Sequence, residues 1–236
     1  MCSHYEALRQ WENYIKYFHV TAPDPEQGKL DMWPRYTGYF IRKPPETDPH
    51  DEAVPEREAL AGRWGLVPWR LKPTPDDIKK AMARSTFNAR TEGIDKNFTF
   101  GPAWQRGQHC IIPVDAFYEP DWRTQRAVST RFTRADGQPM GIAGLWDVWT
   151  EPGKPPLLSF TMLTMNATDH ALLKNFHRPE DEKRIVVILP ESRYESWLDA
   201  PAELSMDFIR QYPAENLVAT PVPPKPPKAQ KQVELI

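Results

Sequence analysis

Twenty-six of the 236 residues are proline. Each one fixes φ near −65° and removes a backbone donor, so long helices and central strands are confined to the stretches between them. The chain must therefore be rich in loops, turns and sheet edges. The proline-poor windows predict the elements. Residues 5–18 read as a helix, with Leu8, Trp11, Ile15 and Phe18 spaced for one buried face. TGYFIRK at 37–43 reads as a strand, and DDIKKAMA from Asp76 as a short helix with acids at its N-terminus. CIIPVDAFYEP, RFTR, MGIAGLWDVW, LLSFTMLTM and RIVVILP have the length and residue types of strands. ATDHALLKNF, ESRYESWLD and AELSMDFIRQY read as helices. Residues 21–35 are expected to be loop, the acidic segment 44–58 mobile, and the tail from Thr220 extended. Strands scattered among short helices predict one α+β domain on a curved, largely antiparallel sheet.

Composition narrows the class. Hydrophobic residues at 40% and aromatics at 11% support a sizeable core. Two cysteines cannot build a disulfide framework and fit a reducing compartment. No segment reads as a signal peptide or a membrane span. The six histidines lack metal-ligand spacing, so neither a metal nor another cofactor is expected. A Rossmann fingerprint, a phosphate-binding glycine loop and Gly-x-Ser-x-Gly are all missing. Net charge is −2, yet Arg63 to Arg90 carries seven basic residues against two acids, and Asp121 to Arg134 four arginines against one. Such runs matter if they line one cleft.

Four places carry candidate chemistry. Cys2 would become N-terminal if Met1 were removed, which puts an α-amine and a thiol on one residue. Asn88 and Arg90 in STFNARTEG would share a face of an extended segment. Glu119 ends an apolar, aromatic strand, where desolvation would raise its pKa and suit it to proton transfer. His177 falls in a loop before a buried strand. Each also has an ordinary structural explanation.

Their joint order, from MC through RWGLVPW, NARTE, a strand ending YE and the His before VVILP, resembles the SRAP family of abasic-site processing proteins from Cys2 to about Trp197. The resemblance implies an α+β domain over residues 1–220 with a barrel-like core, followed by a Pro/Lys-rich tail, 221–236. It implies a covalent, thiazolidine-type crosslink between Cys2 and an abasic site in single-stranded DNA, with possible lyase or autopeptidase activity. Asn88 would hold the opened sugar, Glu119 would shuttle protons and His177 would protonate the sugar oxygen. Arg90 would hold a phosphate, helped by Arg63 or Arg84, and Trp64 and Trp69 would stack on bases. His4 stands where the family carries an arginine, and the loop after His177 is four residues longer than usual. The implied protein is a cytoplasmic monomer, on the bacterial nucleoid when bound to damaged DNA. A thiol peptidase and a non-catalytic reader of modified DNA are the competing readings.

Overall fold

The computed structural model describes residues 2–44 and 55–223. Within these residues twelve strands form one sheet: β1 (Tyr5–Ala7), β2 (Asp31–Met32), β3 (Thr37–Arg42), β4 (Glu58–Trp64), β5 (Asn88–Arg90), β6 (His109–Asp121), β7 (Val128–Arg134), β8 (Met140–Trp149), β9 (Leu157–Asn166), β10 (Arg184–Val186), β11 (Ile188–Leu189) and β12 (Leu217–Pro221). Strands β3, β4, β9, β8 and β6 pair in turn, and Ile41 of β3 meets Ile111 of β6, which closes a five-stranded barrel. Two pairings, β4 and β5 against β9, are parallel and the others antiparallel. The α+β class and the curved, largely antiparallel sheet expected from the sequence are what the chain forms.

Barrel closure explains the strands' composition. Strand β8 has a partner on both edges and packed side chains on both faces, so MGIAGLWDVW is buried throughout except at Val148. Gly144 lets β8 lie close to β9: a Cβ there would meet the Thr161 carbonyl at 2.5 Å. Alternation along each strand divides two cores. In β3, Phe40 joins Trp64, Ile112, Val114, Phe117, Phe160 and Met162 inside the barrel. Its neighbours Tyr39 and Ile41 face an outer layer with Tyr14, Phe18, Leu145 and Trp197. Each fully buried Phe or Leu contributes about 1.5–3 kcal/mol by leaving water.

Among the described residues four short helices pack outside: α1 (Glu12–Phe18), α2 (Pro75–Ala83), α3 (Gly101–Gln105) and α4 (Tyr194–Leu198). The predicted helix over 5–18 is half wrong. Tyr5 and Ala7 are strand residues opposite Phe117 and Val114, because sheet pairing outweighs local helix propensity there. The helix starts only at Glu12, and it buries Tyr14 and Phe18 and leaves Ile15 62% exposed. ATDHALLKNF shortens to a 3₁₀ turn at Leu173–Asn175, with His170 Nδ1 accepting from the N–H groups of Leu172 and Leu173. AELSMDFIRQY is a 3₁₀ segment, Ala202–Phe208. The chain stays paired with β7 through Val222, whose N–H reaches the Ser129 carbonyl. The mobility expected of 44–58 and the extended tail fall mostly outside the described residues.

Candidate active site

A bulge in β6 decides which carboxylate faces the barrel. Glu6 lies opposite Ala116 but Ala7 lies opposite Val114, so Asp115 is an extra residue on the β6 side. Before it, Cys110, Ile112 and Val114 point inward. After it the phase switches and Phe117 points inward, so Glu119 does too. The backbone N–H of Arg9 donates to Asp115 Oδ2 at 2.9 Å and pins the extra residue. Glu119 is 2% exposed, and burial pushes its carboxyl up to about 7.

The chain ahead of β1 continues along β6, with the Tyr118 N–H donating to the His4 carbonyl at 3.0 Å. This register sets Cys2 beside Pro120 and Glu119. Cys2 is fully buried in the barrel core, its Sγ donating to the His4 carbonyl at 3.3 Å. Burial first, then the charge of Glu119, pushes its thiol up to about 12. The Cys2 carbonyl accepts from Asn88 Nδ2 at 2.6 Å. Asn88 opens β5, whose parallel pairing with Met162–Thr164 of β9 carries it to this end of the barrel. Its Oδ1 is buried with no hydrogen-bond partner among the described residues.

His177 closes the group. Phe176 bridges Asp121, and the His177 N–H donates to the Pro120 carbonyl at 2.9 Å, so the loop docks on the end of β6. His177 holds φ at +63°, in the left-handed region that non-glycine residues seldom enter. Its Nδ1 lies 3.4 Å from Glu119 Oε2 and its Nε2 lies 3.2 Å from the Arg184 carbonyl. A carbonyl only accepts, so Nε2 carries the ring proton and Nδ1 faces Glu119 as an acceptor. Burial holds the imidazole down at about 4. Burial thus favours the neutral form of both partners. Near pH 7 Glu119 divides between acid and carboxylate, and His177 is neutral.

The structure brings Cys2, Asn88, Glu119 and His177 together, and it scatters the expected DNA contacts. Arg90 is 57% exposed and paired with Glu182 at 2.8 Å. Arg63 turns back onto the Gly65 and Met82 carbonyls. Burial, followed by Arg35, lowers its pKa. Trp64 corrects the sequence reading. It is fully buried, packs edge-on against Tyr5 and Phe87 and donates its Nε1–H to the Phe87 carbonyl, so no face is open for a base. Trp69 is half exposed, with the Arg70 and Arg106 guanidinium groups 4.9 and 5.4 Å from its ring. Its backbone N–H donates to Asp147 Oδ2 at 3.0 Å, and Asp147 also holds Arg106. Arg84 lines a cleft of about 840 Å³ with Arg70, Lys72, Lys80 and Lys96. His4 is sandwiched between Trp33 and Tyr118, with centroids at 4.3 and 4.0 Å, and its Nε2 meets Asp31 at 2.5 Å.

Sequence reasoning missed Trp33, Asp31 and Tyr118 around His4, and the bulge at Asp115. A charged residue in the apolar run IIPVDAF was the one available sign of the bulge. Among the described residues no cluster of His, Cys, Asp and Glu could hold a metal ion, and no helix is long and apolar enough to cross a membrane.

A family model described as SOS response associated peptidase (SRAP) matches residues 1–226. The abasic site processing protein YoqW of Bacillus subtilis is 28% identical over 164 residues, 66% of this chain and 66% of its own length. The mouse abasic site processing protein HMCES is 24% identical over 248 residues, 92% of this chain and 64% of its own. The chain therefore spans just under two thirds of these curated relatives. A crystal structure of a Bordetella bronchiseptica protein superposes with a TM-score of 0.83 at 49% identity, covering 94% of this chain and all of that one. One from Bacteroides thetaiotaomicron, at 17% identity and a TM-score of 0.74 over 94% of this chain and 92% of that one, shares the fold.

Proposed function

The chain belongs to the SRAP family, and from that premise we propose that it processes abasic sites in single-stranded DNA by a covalent adduct at Cys2. The observation that carries the proposal is the convergence on Cys2 of the Asn88 amide and the buried Glu119–His177 pair. The relatives named abasic site processing proteins support the substrate.

An abasic sugar opens to an aldehyde. With Met1 removed, the α-amine of Cys2 adds to that carbon, and its ordinary pKa of about 7.7–8.0 leaves part of it unprotonated near neutral pH. Water then departs to give a Schiff base, and this needs a proton. Protonated Glu119 supplies it and becomes the carboxylate. The thiol adds to the same carbon, forms the C–S bond and closes a five-membered ring. Glu119 takes the thiol proton while the nitrogen, which kept its one N–H proton when water left, takes the electron pair of the former C=N bond and becomes the neutral ring amine. A thiol pushed up to about 12 is a neutral S–H at pH 7, so this base is required. A carboxyl that burial holds above its ordinary range serves in both directions.

Neutral His177 is the relay partner of Glu119. Opening of the sugar ring moves a proton from the anomeric hydroxyl to the ring oxygen; the Glu119–His177 pair takes the first and gives the second, so Glu119 is again protonated for the Schiff-base step. Asn88 Nδ2 fixes the Cys2 backbone, and its unpartnered Oδ1 accepts from a sugar hydroxyl. Exposed Arg90 takes a flanking phosphate, and Trp69 between two arginines offers a base-stacking face. A thiol peptidase would need a thiolate stabilised by an imidazolium, whereas here burial raises the thiol and keeps His177 neutral.

The test incubates the purified protein, its intact mass first showing loss of Met1, with abasic single-stranded DNA on a denaturing gel. A shifted covalent band is expected. Cys2→Ala should lose the band and retain noncovalent DNA binding. A Cys2→Ala band of wild-type intensity would overturn the proposal, and binding without any band in the wild type would favour a reader.

A further inference from the structure

The loop between His177 and β10 places a carboxylate on the arginine assigned to phosphate. Glu182 Oε2 lies 2.8 Å from Arg90 Nη1. Its other oxygen accepts from Arg184 Nη1 at 2.6 Å and Asn166 Nδ2 at 3.4 Å. The loop holds this position by its own bonds. Lys183 Nζ and the Asp181 N–H donate to the Arg178 carbonyl, the Ala167 N–H donates to the Lys183 carbonyl, and Arg178 lies over Trp122 at 4.7 Å. Glu182 is thus a placed acceptor and not a loose surface acid.

Arg184 does not depend on it. That guanidinium is 2% exposed and also binds Glu92 Oε2 at 2.7 Å, the Thr164 carbonyl at 2.7 Å and Thr164 Oγ1 at 3.2 Å. Among the described residues Arg90 pairs at the surface with Glu182, and it sits two residues along β5 from Asn88, about 7 Å. That is the reach of one nucleotide from the reacting sugar.

We propose that Glu182 is a specificity-determining residue that occupies Arg90 in place of a DNA phosphate. A strand must displace the carboxylate to engage Arg90. An undamaged strand does so without the compensation of a covalent bond and is held weakly, whereas an abasic strand is retained through Cys2. This rests on the phosphate role of Arg90.

The experiment measures equilibrium binding of an undamaged single-stranded oligonucleotide by fluorescence anisotropy from 50 to about 300 mM salt, for wild type, Glu182→Gln, Arg90→Ala and the double variant. Glutamine keeps the hydrogen bonds to Arg184 and Asn166, and melting curves check each variant. Removing a unit charge about 5 Å from a bound phosphate should tighten binding about three- to tenfold at low salt, with the gain shrinking as salt rises. The gain should vanish in the Arg90→Ala background. Unchanged binding by Glu182→Gln, with Arg90→Ala weakened, overturns this inference and leaves the phosphate role standing. A gain that persists without Arg90 overturns it as a general charge effect. Wild-type affinity of Arg90→Ala together with no gain in Glu182→Gln overturns the phosphate role and the inference together.

Discussion

Replacing Glu119 by Gln should slow the chemistry and stabilise the protein. The carboxyl rises from its ordinary 4.5 to about 7 because it is buried. At 1.36 kcal/mol per pH unit, that rise makes the ionised side chain about 3 kcal/mol less favourable in the folded protein than in the unfolded chain. The sign follows from proton counting. Below pH 4.5 both states are protonated and no penalty exists. Between 4.5 and 7 the unfolded chain has released its proton and the folded one has not, so stability falls as pH rises. Above 7 the loss is complete. Glutamine carries no such charge, so Glu119→Gln should gain roughly 3 kcal/mol over wild type at pH 8 compared with pH 4.5. Urea denaturation of both proteins at the two pH values reads the difference, in which other titrating groups largely cancel. A time course on abasic single-stranded DNA should show adduct formation slowed about 10²–10⁴-fold. A variant less stable than wild type at pH 8 would refute the reasoning, because the carboxylate would then be an anchor and not a strained acid.

Asn88→Ala removes a bond to the Cys2 carbonyl and should cost about 1 kcal/mol of stability in a denaturant titration. Its adduct formation should stay slow even at saturating DNA, since the misplaced step follows binding. Trp64→Ala, a cavity in the barrel, should cost about 3–5 kcal/mol of stability. Trp69→Ala should instead keep its melting temperature and lose about 1–3 kcal/mol of single-strand affinity by anisotropy. Thiol alkylation of the native protein should be slow at pH 7 and climb with pH up to at least 10, as two buried thiols with raised pKa values require, and unfolding in urea should release fast reaction.

Much of the strand content was legible because apolar, β-branched runs between prolines have few other uses in a chain of this length. What failed was whatever depended on a distant partner. Residues 5–7 have a helical period yet pair with β6, and their partner lies more than a hundred positions away. Trp64 and Trp69 look alike in RWGLVPW, and only the turn at Gly65, with φ +131°, sends one into the barrel and leaves the other outside. Within the candidate site, Glu119 was legible from its apolar neighbours, but its inward direction depends on the bulge at Asp115. The carboxylate on Arg90 was invisible because Glu182 reads as one acid among several in PEDEK.

The bond at Cys2 is read from the mass of the adduct. Protein crosslinked to an abasic oligonucleotide is digested with nuclease and protease, and the N-terminal peptide is analysed by mass spectrometry. The expected product is a chain lacking Met1, with the sugar fragment attached to Cys2 at the cost of one water. Its thiol should resist iodoacetamide after unfolding, and the mass should not change with borohydride. A fragment on a lysine, or a Cys2 thiol still open to alkylation in the adduct, would contradict it.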